Sequence, residues 1–332
     1  MDHHAGSEPN PDDDHHHHHH YTSSYDHEDN RTFTSVRTVA SSVTTYRYEN
    51  GRRYHAYRDG AYYQPNDERQ AKAGNIENHL WLLTLNDALF LAPLADPQRV
   101  LDVGTGTGLW CIDMADRYPA CEVIGTDLSP TQVPFAPPNV RFEIDDCNSE
   151  WTYPEASFDL IHVRALLGSV ADWALFYAEC KRHLRPRVGY LEQLEFGVPI
   201  FSPSDDAEVQ ELLSRFRCCL TEAGEKMGKT MQIGESMVGL IREAGFEDVV
   251  EKRFEWPIGA WDEDDRAKEI GRWNLRNWEA GMEGWVMALL TRNLGWAYQE
   301  VQDFKAKLLH ALKYKNIRAY HHVHVVYGRR PE

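Results

Sequence analysis

Three glycines at alternate positions, Gly104, Gly106 and Gly108, follow a short apolar run of Val100, Leu101 and Val103 that only Asp102 interrupts. An amphipathic stretch, LWCIDMADRY, starts directly after them. This order reads as strand, tight loop and helix. A glycine loop lets a ligand lie against bare backbone, and the free N–H groups at the helix start face the same ligand. The chemistry this suggests is the holding of a nucleotide-like molecule. Asp127 ends the next apolar run, EVIGTDLS, about the distance downstream at which an acidic side chain reaches ribose hydroxyls in nucleotide-binding α/β folds. The spacing is G-x-G-x-G. The dinucleotide fingerprint G-x-G-x-x-G would need its last glycine where Leu109 stands, which disfavours an NAD-dependent oxidoreductase.

The elements that must position these residues follow in order. VRFEIDDC ends in Asp145 and Asp146, SFDLIHVRAL carries His162 and Arg164, and GYLEQLEF carries Glu195 after the helix FYAECKRHLRP. Ligands of open α/β sheets bind outside the carboxyl ends of the strands, where strand order reverses. That gathers the glycine loop, Asp127, Asp146 and the end of the fourth strand around one crevice. VPIFSPSDD reads as a loop. Helical period returns in EVQELLSRFRCCLTEAGEKMG, in ESMVGLIREAGF, and over two stretches from Asp265 to Leu294 and from Ala297 to Lys313. FEDVVEKRFEWPIG and AYHHVHVVYGRR alternate as strands. His321, His322 and His324 alternate in the last of these without further ligands in reach, so a structural role and no metal site are expected. Trp256, Trp261, Trp273, Trp278 and Trp285 suggest an aromatic cap in the late helical region. Core packing accounts for most of them, and contact with a flat substrate for one or two.

The 332 residues carry a net charge of -17, which argues against holding nucleic acid by a general basic surface. No apolar run approaches the ~20 residues of a membrane span, and no secretory segment opens the chain. The six cysteines show no metal-ligand pairing and read as reduced thiols of an intracellular protein. Residues 1–35 are polar, contain the run His15 to His20, and lack the apolar content to fold alone. The following arm turns at Asn50-Gly51 and is dense in tyrosine, arginine and acid over RRYHAYRDGAYYQPNDERQ. It reads either as packing on the core or as a lid in which Tyr57, Arg58, Tyr62 and Asn66 line the mouth of the site. A helix is expected from near Asp67, through His79, to about Phe90.

DVGTGTG, GTDLS, IDDC, FDLIHVR and LRPRVGYLEQLE together resemble the class I S-adenosylmethionine (SAM) methyltransferases. Outside that core, YENGRRYHAYRDGAYYQPNDERQ, LLTLNDALFLAP, ALLGSVADW, LTRNLGWAYQEV and IRAYHHVHVVYGRRP are similar to the fungal LaeA-like (TAM/UMTA) group, over residues 46 to 330. The resemblance implies an α/β fold with a Rossmann-like seven-stranded mixed sheet, whose last strand inserts antiparallel beside the fifth. It implies a tail over 1–35, an N-terminal lid over 36–96, a SAM-binding core over 97–200, and a helical cap with the last two strands over 201–332. It also implies site roles. The backbone of Gly104, Thr105, Gly106 and Gly108 would hold the methionine part of SAM, and Asp102 its ammonium. Asp127 would take the ribose hydroxyls, Leu128 would pack on adenine, and Asp146 with the Cys147 backbone would meet the adenine amino group. Tyr62 and Arg164 complete the expected cofactor set.

SAM is already activated, so alignment and water exclusion are the main tasks. A base is needed only where the acceptor must lose a proton that water cannot take. Arg164, Glu195 and His79 are the candidates near the methyl, while His162, inside an apolar strand, reads as a core histidine. The expected function is methyl transfer from SAM to a small-molecule acceptor, such as a fungal secondary metabolite, leaving S-adenosylhomocysteine (SAH). The alternative is a LaeA-like regulatory protein of secondary metabolism that retains SAM binding and acts through protein partners. The expected setting is the cytoplasm or the nucleus, with no membrane partner. The absence of a basic cluster in the tail disfavours autonomous nuclear import.

Overall fold

The computed structural model describes residues 43–332. The tail expected over residues 1–35, its histidine run and the first residues of the arm lie outside the described residues. The arm begins with a hairpin, β1 (Arg47–Glu49) and β2 (Arg52–Tyr54), paired antiparallel. Its turn residues Asn50 and Gly51 have φ of 51° and 73°, the left-handed geometry a two-residue hairpin turn requires. Helix α1 (Glu68–Thr84) starts at Asp67, whose side chain accepts from the Gln70 N–H at 3.0 Å. It stops at Thr84 rather than near Phe90, because Asn86 and Asp87 take φ of 56° and 59° and turn the chain out of the helix.

Seven strands form one mixed sheet: β3 (Arg99–Val103), β4 (Glu122–Asp127), β5 (Val140–Ile144), β6 (Leu160–Arg164), β7 (Tyr190–Phe201), β8 (Glu247–Pro257) and β9 (Tyr320–Arg329). Their spatial order is β5-β4-β3-β6-β7-β9-β8. The strands from β3 to β7 pair in parallel, and β9 lies antiparallel between β7 and β8. This is the Rossmann-like seven-stranded sheet that the sequence implied, with its last strand where expected. Val100, Val123 and Leu160 bury with Trp110 and Met114 on one face. Leu101, Val103, Ile161 and Val163 bury on the other. Successive residues of a strand face opposite ways, and burial on both faces is why these parallel strands read as nearly unbroken apolar runs.

The connecting helices are α2 (Leu109–Arg117), α3 (Trp173–His183), α4 (Ala207–Met227), α5 (Ile233–Glu243), α6 (Asp265–Leu294) and α7 (Tyr298–Tyr314). The 30 residues of α6 cross α1, α4 and α7, so this helix is buried on several sides. One expectation fails locally. VPIF is not loop but the end of β7, because the pairing with β9 is irregular between Phe196 and Ile200 and that bulge accommodates Pro199, which has no N–H to donate. Trp256 lies in β8, the strand expected over FEDVVEKRFEWPIG, and so outside the late helical region; it is 4.9 Å from Trp81 between ring centres, with its Nε1 donating to Thr84 Oγ1 at 2.8 Å. Among the described residues, no helix is long and apolar enough to cross a membrane.

Candidate active site

Chain order reverses between β3 and β6: β4 and β5 continue to one side, β7 to the other. The crevice at their carboxyl ends holds a cavity of about 280 Å³. The glycine loop makes one wall. Gly104 and Thr105 both donate their N–H to Thr126 O at 2.9 Å, which folds the loop back on the end of β4. Gly104 has a φ of 76°, and a Cβ there would stand 2.5 Å from Leu166 Cδ2. Gly106 differs: a Cβ there would meet nothing within 4 Å, so this backbone lies open on the cavity it lines.

Asp127, at the end of β4, accepts the Gly106 N–H on Oδ2 at 2.9 Å and the Ser129 N–H on Oδ1 at 3.0 Å. Burial pushes its carboxyl up to about 6, against the pull of these two N–H groups. Asp146 accepts from the backbone and the side chain of Asn148 on Oδ1, both at 3.0 Å, and its Oδ2 faces Arg58 Nε of the arm at 3.8 Å. Arg164, at the end of β6, donates to Asn78 Oδ1 of α1 at 2.9 Å. The next residue, Ala165, has a φ of 55°, so the chain leaves the strand in a sharp turn beside the cavity.

The structure brings most of the expected residues together. Tyr62, Gly104, Thr105, Gly106, Asp127 and Leu128 line this cavity, and so do Asp146, Cys147 and Arg164. Gly108, Asp102, Glu195 and His79 are not among its lining residues. Gly108 gives its space to Phe142 instead: a Cβ on it would stand 2.4 Å from Phe142 Cζ. Asp102 is 3% exposed and bonded to His162 Nδ1 at 2.7 Å. Glu195 is fully buried and receives the N–H groups of Leu166 at 3.0 Å and Leu167 at 3.3 Å, one on each oxygen. Burial pushes its carboxyl up to about 8. It therefore holds the turn after Arg164 rather than facing the cavity. His79 packs edge-on against Trp273 at 4.5 Å, and two residues past Glu77 it points to another side of α1. Of the other residues expected at the mouth, Asn66 lines the cavity and donates to Ser129 Oγ at 3.0 Å. Arg58 reaches Asp146, with Tyr57 packed against it.

Several lining residues were not anticipated. Glu77 of α1 lines the cavity, and burial pushes it up to about 7 although the charge of Arg164 pulls the other way. Its signal was a stripe of Asp67, Gln70, Gly74 and Glu77 along one helical face, all of them in the lining. Asp145 also lines the cavity, as do Asn274 and Asn277 of α6. The arm is fastened over this space by ion pairs. Arg52, 1% exposed, is bidentate to Asp67 at 2.6 and 2.9 Å and lies 3.6 Å from Glu283 of α6. Arg69 adds a second link to Glu283 at 3.0 Å.

Known proteins are similar to this chain in sequence. A family model described as a methyltransferase domain matches residues 79–251. A protein of Aspergillus terreus named methyltransferase pytC is 41% identical, over 81% of this chain and 83% of its own. The secondary metabolism regulator LAE1 of Cochliobolus heterostrophus is 34% identical, over 86% of this chain and 94% of its own. The protein-methionine methyltransferase laeA of Emericella nidulans is 31% identical, over 85% of this chain and 76% of its own. The strand order, the glycine loop and these matches along most of its length make this chain a member of the methyltransferase-domain family, in the group that contains pytC and the LaeA-like proteins.

Proposed function

We propose that the cavity binds SAM and that the protein transfers its methyl to a small-molecule acceptor, leaving SAH. The observation that carries this reading is one continuous cavity, lined at one part by the glycine loop and Asp127 and at another by aromatic side chains of α4 and α6. The residues present fit the cofactor. Open backbone at Gly106 leaves room where a side chain would stand. Asp127 keeps lone pairs for ribose hydroxyls beyond its two backbone bonds, and Leu128, Asp146 and Cys147 lie beside it for adenine.

When bound, SAM supplies a methyl on a sulfonium: the acceptor lone pair makes the new bond as carbon–sulfur breaks, and the bonding pair stays on sulfur. The chain's own work is alignment and exclusion of water. Arg164 is fixed by Asn78 and sets the charge at the strand end. Glu77, whose carboxyl titrates near neutrality, receives a proton where the acceptor must lose one. Glu195 is a positioning residue that holds Leu166 and Leu167. In this reading residues 36–96 act as a lid, 97–200 hold the cofactor, and 201–332 supply the cap together with β8 and β9.

The second reading is a regulator whose acceptor is a protein, favoured by the names of the LAE1 and laeA relatives. Calorimetry with SAM, SAH and NAD tests the cofactor: binding of SAM and SAH is expected, and binding of NAD alone overturns it. Incubation with methyl-labelled SAM and fungal extract tests the acceptor. Label in the small-molecule fraction is expected, and label confined to protein favours the second reading.

A further inference from the structure

The part of the cavity away from the glycine loop has a composition of its own. Phe216 and Leu220 of α4, Trp278 and Trp285 of α6, and Met231 form an apolar wall. Trp278 stands perpendicular to Trp285, with 5.3 Å between ring centres and 86° between planes, and 5.2 Å from Phe216. Such walls take flat rings face-on to one plane and edge-on to the other. The side chains that α4, α6 and β9 add to the lining carry no charge at neutral pH. The one titratable group among them, His321, is pushed down to about 4 by burial and stays neutral. A charged acceptor would meet no counter-charge against this wall.

Two polar groups interrupt the apolar surface. Asn274 and Asn277 are one helical turn apart on α6 and both line the cavity. They are 0% and 3% exposed, and each leaves its Oδ1 buried without a hydrogen-bond partner. The orientation of the Asn274 amide is fixed. Its Nδ2 donates to Pro257 O at 2.9 Å and meets His321 Nε2 at 3.1 Å. The reversed amide would set its oxygen against the Pro257 carbonyl, acceptor against acceptor. The oxygen is therefore the atom left over, and a buried carbonyl of this kind is matched by a donor.

We propose that the methyl acceptor is a flat, uncharged, largely apolar molecule bearing a hydroxyl or N–H group, which the amide oxygens of Asn274 and Asn277 receive while its ring system lies face-on to one of Trp278 and Trp285 and edge-on to the other. This deepens the methyltransferase reading and rests on it. The test measures binding by tryptophan fluorescence and calorimetry, on the full chain with and without saturating SAH. The probes are 2-naphthol, 2-methoxynaphthalene, 2-naphthoate and acetyl-methionine amide. The expected result is that 2-naphthol binds about tenfold or more tightly than any of the others, because only it is flat, neutral and a donor. Asn277→Leu, which keeps the branched side-chain skeleton and breaks no hydrogen bond, should erase the preference for 2-naphthol over 2-methoxynaphthalene while SAH affinity and melting temperature hold. Asn274→Leu, which gives up the bond to Pro257 as well as the oxygen, should weaken the preference too, with the melting temperature read beside it. Equal or tighter binding of 2-naphthoate or acetyl-methionine amide, no binding of 2-naphthol, or a preference that survives Asn277→Leu and Asn274→Leu overturns the proposal. Loss of SAH binding in the unmodified chain with 2-naphthol still preferred would instead count against the cofactor reading alone.

Discussion

Nδ1 of His162 on β6 lies 2.7 Å from Oδ1 of Asp102 on β3, where the two residues face each other across a parallel strand pair. Both are buried, and Trp110 of α2 stacks on the imidazole with 3.9 Å between ring centres and 5° between planes. Burial pushes His162 below its ordinary value, so it is neutral at pH 7 and donates Nδ1–H to the carboxylate. The second oxygen of Asp102 accepts from Cys111 Sγ at 3.6 Å. The acid that opens the glycine loop thus ties β3, β6 and α2 together just below the site.

His162→Phe keeps the stack on Trp110 but leaves a buried carboxylate without its donor. We expect a loss of about 1–3 kcal/mol in urea unfolding, the cost of an unsatisfied buried acceptor. Asp102→Asn, which still offers an oxygen to Nδ1–H, should lose less. Equal stability of His162→Phe and the unmodified chain would remove the pair as a structural tie.

What was legible in the sequence was set by short spacings. Gly104, Gly106, Asp127 and Asp146 belong to strand ends and the turns after them, and a strand end in a parallel sheet faces the crevice whatever else the chain does. Glu195 misled because its partners, the N–H groups of Leu166 and Leu167, lie 29 and 28 residues away, and their capture depends on the left-handed turn at Ala165. Asn274 and Asn277 were hidden for another reason. They sit in a helix where exposed Arg272, Arg276 and Glu279 alternate with buried Asn274 and Asn277, so polarity alone does not tell which polar residue faces water and which faces the cavity. VPIF read as loop, and only the pairing with β9 shows that a bulge absorbs Pro199 within the strand.

Asp127 should make SAM binding depend on pH. Ribose hydroxyls donate to the ionised carboxylate, and burial has raised this group to about 6. Below that value the empty site is protonated, so binding must first release a proton. The dissociation constant of SAM is therefore expected to be flat above about pH 7 and to rise by about tenfold per pH unit well below 6. Asp127→Ala should weaken binding by about 1.5–3 kcal/mol at neutral pH and flatten the profile. Calorimetry from pH 5 to 8 checks both, and a flat profile in the unmodified chain removes Asp127 from the cofactor site.

Glu195 should tilt stability in the opposite direction from an ordinary paired carboxylate. Its folded value of about 8 lies above its ordinary 4.5, so between these the folded chain holds a proton that the unfolded chain has released. The stabilising contribution is full below about 4.5 and is lost as pH rises through 8. Glu77 and Glu192, each raised to about 7 by burial, act with the same sign. Unfolding free energy should fall between pH 6 and 8, with about 1.4 kcal/mol per pH unit for each proton released. Glu195→Gln should make that fall shallower. An identical slope in the variant would show that Glu195 does not titrate in this range.

The arm offers the last expectation, and Arg52 is its pivot. This guanidinium is buried between Asp67, which caps α1, and Glu283 of α6, so it fastens the β1–β2 hairpin to two helices that border the cavity. Between hairpin and helix run Tyr62, Tyr63, Gln64, Pro65 and Asn66, all of them lining residues. If the arm is a lid, ligand binding and arm closure favour each other, because a ligand that touches only the closed state shifts the population toward it. Arg52→Met keeps an unbranched side chain there but leaves Asp67 without its cation, while Glu283 keeps Arg69 and Lys305. Removing one partner of a buried ion pair is strongly destabilising, and here the strain is relieved by release of the arm. We expect faster tryptic and chymotryptic cleavage between Tyr54 and Arg69 in Arg52→Met than in the unmodified chain. Saturating SAH should protect the unmodified chain and protect the variant less. Removal of residues 1–35 should leave SAH binding unchanged, whereas removal of residues 1–66 should weaken it and abolish turnover. Cleavage patterns that ignore SAH in both proteins, with full activity in the longer truncation, would return the arm tyrosines to ordinary packing.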